Sequence, residues 1–439
     1  MMPWNDWKYL FQKRAAVLKS ADHSFREHDF EEALTAYRAS LGNGSTELRP
    51  NVRRRIVACL DNLGRRMEAD REAAKLAGML QAVPFTAEIA LALGRLENRR
   101  DRASAYAIFE RGLSAPGMST NLRSRLKCEL SHVGPFVGRP DLTFYWATNG
   151  LADNPPEPYL SSHLTMAGMS SISLADIDGA DRYYARGMEQ AQASNDPIRI
   201  ARATVHLARL HIVRGDYTTG IEMSRRALEM APNDEHASIE LYLASALWRV
   251  DKHEEAIRLL TDKLTKIRSS YVRYNNVTLN AVELTLAGLA LTAGEFDRAQ
   301  RYYDRVAVPL DETSKLLFQV KGVCLRAMRN RSASSGLSTM YDILPSSMHE
   351  RTLSESMTWI ARAAVHVGLP DLTRKCVDRM RNQRQLPIEI AETLYLEGEA
   401  KRLQGDLDGA RQSFEQAVAS GIKDIYTERA AKRLNEMKL

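Results

Sequence analysis

One pattern recurs along this chain and limits what it can fold into. It is clearest in Leu207-Ala208-x-x-His211-x-x-x-Gly215-Asp216-Tyr217-x-x-Gly220-x-x-x-Ser224-x-x-Ala227-Leu228-x-x-x-Pro232. Two amphipathic runs flank a Gly-Asp turn, and a proline closes the second. The pattern returns as Gly398-x6-Gly405-Asp406-Leu407-x-x-Ala410-x-x-x-Phe414-x-x-Ala417-Val418 and as Leu286-Ala287-x6-Gly294-Glu295-Phe296-x-x-Ala299-x-x-x-Tyr303-x-x-Val306. Small residues before and after the turn let two helices approach closely, the later aromatic fills the gap to the next pair, and Gly at the turn tolerates positive φ. A unit of this kind cannot bury its own apolar face, so copies must stack.

Composition agrees with a helical chain. Gly at 24 and Pro at 15 of 439 residues fall below their usual shares of about 7% and 5%. The best uncharged apolar stretch, Leu284 to Gly294, is far short of the roughly 18 residues of a membrane helix, so a membrane-spanning chain is not expected. The start, Met1 to Lys8, has no basic region leading into an apolar core, and the expected location is therefore cytoplasmic. Cys59, Cys128, Cys324 and Cys376 are far apart and form no C-x-x-C, as suits reduced thiols. The tightest histidine pairs, His23 with His28 and His206 with His211, stand about 140° apart on a helix and cannot share a metal. No metal site or cofactor is expected. Gly42-Asn43-Gly44-Ser45-Thr46 lacks the Gly-Lys-Ser/Thr of a phosphate loop and reads as an inter-helix turn. With no nucleophile elbow, zinc-protease helix or kinase signature, the chain is not expected to be an enzyme.

These residues resemble the tetratricopeptide repeat (TPR) family, whose 34-residue unit has small residues at positions 8, 20 and 27, aromatics at 11, 17 and 24, and Pro near 32. The resemblance implies an all-α, right-handed superhelical solenoid with a concave binding surface. Taking the residue after each turn as anchor gives Phe30, Met67, Arg102, Pro140, Ile177, Tyr217, His253, Phe296, Ala333, Pro370 and Leu407, hence about eleven antiparallel helix pairs. The units at Met67, Arg102, Pro140, Ala333 and Pro370 are degenerate. Gly138-Arg139-Pro140-Asp141-Leu142-Thr143 nonetheless matches Gly368-Leu369-Pro370-Asp371-Leu372-Thr373 at five of six positions, which predicts a shared turn. The 43-residue step from His253 to Phe296 predicts an extended helix or an inserted turn. The expected division is an N-terminal array over 1–153, a Pro-rich turn over 154–160, a main array over 161–421 and a solvating C-terminal capping helix over 422–439.

In the family, first-helix positions 2, 5, 9, 12 and 13 face the groove. Carried over, they place Arg202, Arg209, Trp248, Arg249, Lys321, Arg362, Tyr395 and Arg402 there. Arginine grips carboxylates and the aromatics add rigid apolar contact, so the resemblance implies an acidic peptide or helix as partner. Solvation of a wide groove is the competing explanation. The chaperone-tail pattern is missing, since Leu18 with Asp22 and Arg55 with Cys59 occupy its positions. Residues 49 to 127 hold sixteen Lys or Arg against eight Asp or Glu, including Arg53, Arg54, Arg55, Arg65, Arg66, Arg99 and Arg100. A solvated face, an acidic protein or RNA would each account for that patch. The expected function is a non-enzymatic scaffold or adaptor, with a ligand-responsive regulatory sensor and an RNA-binding protein as alternatives.

Overall fold

The computed structural model describes residues 16–25, 29–41, 50–63, 65–98, 101–137, 139–231, 236–269, 276–306, 312–345 and 349–437. Among them there is no strand. The chain forms two compact units, residues 1–133 with 267–275, and residues 134–266 with 276–439.

Unit 1 contains α1 (residues 16–25), α2 (Phe30–Leu41), α3 (Pro50–Asn62), α4 (Arg66–Gln81), α5 (Ala87–Glu97), α6 (Arg102–Gly112) and α7 (Thr120–Val133). Its core gathers Phe30, Leu34, Tyr37, Ile56, Leu60, Leu76, Leu80 and Leu96. Unit 2 opens with a 3-10 turn, Gly134–Val137, and continues through α8 (Pro140–Ala152), α9 (Tyr159–Ser173), α10 (Ile177–Ser194), α11 (Pro197–Arg214) and α12 (Tyr217–Met230). Then come α13 (His236–Arg249), α14 (His253–Ser269), α15 (Asn276–Thr292), α16 (Phe296–Tyr303), α17 (Glu312–Arg329) and α18 (Ser335–Ile343). The last five are α19 (Glu350–Val367), α20 (Pro370–Arg381), α21 (Pro387–Leu403), α22 (Leu407–Ala419) and α23 (Ile425–Glu436). The second helices begin at the anchors: Phe30, Arg102, Pro140, Ile177, Tyr217, His253, Phe296, Pro370 and Leu407 are each a first helical residue. Ala333 instead ends a 3-10 turn, Arg331–Ala333, just ahead of α18. Met67 is the second residue of α4, so the second helices of the degenerate units start within two residues of their anchors.

The Gly-Asp dipeptide does two jobs in two residues. Gly215 has φ of 85° and its N–H donates to the carbonyls of His211 and Ile212, ending α11; Asp216 then accepts from the Thr219 N–H and starts α12. Gly405 and Asp406 repeat this, with the Gly409 N–H donating at 2.9 Å. The matched Gly-x-Pro-Asp-Leu-Thr turns use proline at the first helical position, and the preceding residues, Arg139 (φ −126°, ψ 70°) and Leu369 (φ −110°, ψ 75°), share one backbone conformation. Gly138 lies outside the described residues, as do Gly42 to Thr46 and the 270–275 segment of the long step.

Helix pairs close glycine against aromatic. The face of α9 at Gly168 is covered by the Tyr184 ring of its own pair, and that ring also stacks on His206 of α11, 5.3 Å away. Gly398 with Phe414 and Gly94 with Phe109 repeat the arrangement. The division falls at Gly134, and the Asn154–Pro158 cluster lies inside unit 2, where Pro155 is buried and the Tyr159 N–H returns to the Pro156 carbonyl at 3.0 Å, making an inter-helix turn. The C-terminal helix α23 turns Ile425, Tyr426, Thr427 and Ala430 inward, with Ala430 in one core with Ala410, Phe414 and Ala417 of α22, and Asp424 caps it by accepting from the Tyr426 and Thr427 N–H groups.

A Cβ at Gly168 would overlap Tyr184, whereas one at Gly187 would meet nothing within 4 Å. Gly168→Ala is expected to cost about 1–3 kcal/mol of unfolding free energy, and Gly187→Ala, mid-helix on α10, to gain about 0.5–1 kcal/mol. Urea unfolding of both checks the contrast; equal effects would contradict this packing.

Candidate functional site

Within unit 2 the late helices return to the early ones. Leu386, ahead of α21, joins the core of Ile172, Tyr184, Leu210 and Val213, and Ile422 packs against Gly215. Helix α21 lies against α11, α19 and α23. The inner face that register assigned to a partner is thus partly filled by the chain itself.

Glu392 of α21 sits at the centre. Arg249 of α13 donates through Nη2 to Glu392 Oε2 at 3.0 Å and through Nη1 to Asp424 Oδ2 at 3.1 Å, while Arg362 of α19 donates through Nε to Glu392 Oε1 at 2.5 Å. These side chains are scarcely exposed: 4% for Glu392, 0% for Asp424 and 14% for Arg249. Arg362 also lies 4.9 Å from the ring centre of Trp359, 5.5 Å from that of Trp248 and 5.6 Å from that of Tyr426. Lys321 stands 5.5 Å from the Trp359 ring centre and pairs with Glu355 at 2.9 Å. Tyr395 lies against Phe414 and Tyr426. Arg402 pairs with Glu399, which also accepts from Arg433 at 2.6 Å.

The structure therefore brings Trp248, Arg249 and Arg362 together, with Lys321 beyond Trp359 and Tyr395 beyond Tyr426, and each guanidinium meets a carboxylate of the chain. Burial opposes the charge of Arg249, but Glu392, Tyr217, Tyr426 and Asp424 outweigh it and hold its pKa above the ordinary value. Burial likewise opposes ionised Glu392, and Arg362 and Arg249 outweigh it, so this carboxyl is held below 4.5. At Asp424 burial wins and the pKa is raised. Glu392 and Glu355 occupy position 2 of their first helices, inside the register used for the groove, but the register itself does not say which cation a carboxylate there will meet. Asp424 and Tyr426 carried a cap signal but no sign that they turn inward.

Arg209 is different. Its guanidinium lies 5.3 Å from the Tyr242 ring centre, and its Nη1 is buried with no hydrogen-bond partner. The Tyr184 hydroxyl and His206 Nδ1 are also buried and unpartnered. Burial, with Arg209 and Arg202 adding, pushes His206 down to about 4, so the ring is neutral at pH 7. Arg202, one turn before His206, is exposed.

The basic patch of unit 1 is not a uniform face. Arg53 is buried, Arg55 sits over the Phe25 ring at 4.4 Å, and Arg65 is held by Glu68 through two hydrogen bonds of 2.7 Å. Arg54 is half-buried among other arginines. Arg99 and Arg100 lie outside the described residues, and of the Arg66 side chain nothing is described. Among the described residues no group of three or more His, Cys, Asp or Glu side chains is placed to hold a metal ion, and no helix is long and apolar enough to cross a membrane. The thiols of Cys59 and Cys324 are each pushed up to about 12 by burial.

No protein-family profile and no curated protein matches the chain. Solved structures do. A Rap protein complexed with competence and sporulation factor is similar at a TM-score of 0.52 and 13% identity, over 80% of this chain and 99% of that one. The human IFIT1 dimer with m7Gppp-AAAA is similar at 0.51 and 14%, over 91% of this chain and 88% of that one. A monomeric IFIT1 mutant with Gppp-AAAA is similar at 0.51 and 14%, over 91% and 89%. At such identities the likeness is one of fold.

Because Arg249 separates two buried carboxylates, Arg249→Met is expected to cost about 3–5 kcal/mol at neutral pH. The stability that Glu392 contributes through its lowered pKa is present above 4.5 and lost as pH falls through the folded value. The deficit of the variant should therefore narrow on acidification, measured by urea unfolding between pH 7 and pH 4; a pH-independent deficit, or one below about 1 kcal/mol, would contradict the network.

Proposed function

From the premise that this chain has a tetratricopeptide-type helical-repeat fold, we propose that it is a non-enzymatic protein-binding scaffold that holds an acidic peptide or helix on the inner face of unit 2, in the cytoplasm. The observation that carries this reading is the buried, unpartnered Nη1 of Arg209. Leaving a buried donor without a partner costs about 1–3 kcal/mol, and Arg249, Arg362, Lys321 and Arg402 are all answered by carboxylates of the chain. Among the described residues Arg209 meets the Tyr242 ring and no carboxylate, and two further buried atoms, the Tyr184 hydroxyl and Nδ1 of neutral His206, have no hydrogen-bond partner. A ligand carboxylate would accept from Arg209 in bidentate fashion, with the Tyr184 hydroxyl in reach as a second donor. Four free cysteines, three of them buried, accord with a reducing compartment.

Solved proteins of this fold hold competence and sporulation factor in one case and m7Gppp-AAAA in another, so the fold alone does not choose a ligand. The carboxylate reading is favoured here because the unpaired cation lies beside hydroxyl and imidazole. A regulatory reading has its own support: Arg249 and Asp424, 175 residues apart, tie α13 to α23. A ligand that competes for that tie would bias a two-state element, and small-angle scattering with and without peptide separates a rigid scaffold from a sensor.

Binding of a fluorescent glutamate-rich peptide, followed by anisotropy at low salt, is expected to weaken at least about tenfold in Arg209→Gln with the helical circular dichroism unchanged. Equal affinity of wild type and variant would overturn the proposal.

A further inference from the structure

Unit 1 carries a second charge arrangement, independent of the one in unit 2. Arg54 lies on α3, Arg95 on α5, and Arg125 with Glu129 on α7, the first helices of three successive pairs; α5 packs against both α3 and α7. Arg95 consumes the one carboxylate of the group, donating through Nε to Glu129 Oε1 at 2.6 Å and through Nη2 at 2.5 Å. Arg54 and Arg125 are left over. The Nε of each is buried without a hydrogen-bond partner, and neither forms an ion pair among the described residues. Burial pushes the Arg54 guanidinium down to about 10, with Arg95, Arg55 and Arg125 adding and Glu129 opposing.

Three guanidinium groups against one carboxylate leave a charge of about +2 at a partly buried point, with the Nε atoms of Arg54 and Arg125 fully buried and unpartnered. We propose that these residues form a binding site for a compact phosphate dianion, held by Arg54 and Arg125 and bordered by the Arg95–Glu129 pair. A phosphate group at neutral pH carries about −1.5 to −2 and three acceptor oxygens, which matches both the residual charge and the two separate orphan donors. One carboxylate supplies half that charge. Arginine suits the role because its planar fork meets phosphate oxygens in pairs. A nucleobase finds no stacking partner here: Phe25 lies under Arg55, Phe85 lies under Arg111 at 4.1 Å, and Phe109 is fully buried. The ligand chemistry is thus a phosphate group rather than a nucleic-acid strand, either free or borne on a phosphorylated side chain.

The full-length protein tests this with inorganic phosphate, followed by 31P line broadening at constant ionic strength, and with a labelled phosphoserine peptide beside its unphosphorylated and glutamate versions. Both phosphate probes are expected to bind, and affinity to fall at least about tenfold in Arg54→Gln and in Arg125→Gln. Each substitution removes a repulsion, so the melting temperature without ligand should stay equal or rise, which separates lost binding from lost folding. Tighter binding of the phosphopeptide than of inorganic phosphate would assign the site to a phosphorylated partner, and the reverse to the free ion. No broadening at low salt, equal binding of the unphosphorylated or glutamate peptide, or unchanged affinity in both variants would overturn the proposal.

Discussion

Glu392 is the carboxylate on which unit 2 depends. It lies almost wholly out of water with Arg249 on one oxygen and Arg362 on the other. An isolated carboxylate there would be far too costly to ionise. Two guanidinium groups make it tolerable, Arg362 from the preceding pair and Arg249 from 143 residues away, so satisfying one charge requires α13, α19 and α21 to converge. Asp424 adds α23 through the same Arg249. The aromatic rings of Trp248, Trp359 and Tyr426 shield the cluster and lower the cost of holding Arg362 inside, since each presents a π face to the cation. Apolar packing stacks neighbouring pairs; this polar network decides which non-neighbouring helices meet.

That distinction governs what the sequence discloses. Neighbour packing is local and repetitive: a small residue, a Gly-Asp turn and an aromatic recur at fixed spacing, and from them the starts of the second helices could be read within a residue or two, even in units with Pro or Arg at the anchor. Convergence of distant helices has no such repeat. That Arg249, Arg362 and Trp248 lie near one another was legible, because position within a first helix determines which way a side chain points. That Glu392 and Asp424 answer Arg249 was not, for nothing in a carboxylate's own position marks an arginine 143 or 175 residues away as its partner. Arg209 could be placed on the inner face in the same way, but its lack of a partner emerges only from counting acceptors in three dimensions.

The two units use arginine in opposite ways. In unit 2 Arg249, Arg362, Lys321 and Arg402 each pair with a carboxylate of the chain, whereas Arg209 Nη1, like the Tyr184 hydroxyl and His206 Nδ1, is buried without a hydrogen-bond partner. In unit 1 the positive charge of the sequence resolves into a buried Arg53, an ion-paired Arg65, an Arg55 stacked on Phe25, and a small group around Arg54 that exceeds its single carboxylate. Net charge along the chain is therefore a poor guide to where a ligand would sit. The useful quantity is the balance of donors and acceptors at each buried point.

The most direct test of this account is a double-mutant cycle in urea joining Arg249→Met and Glu392→Gln, two positions separated by 143 residues in the chain. The account predicts a favourable coupling of about 1.5–3 kcal/mol, with the double variant more stable than the sum of the single losses implies. Additive losses, with coupling below about 0.5 kcal/mol, would mean that α13 and α21 do not meet through this pair, and would contradict the closure of unit 2 described here.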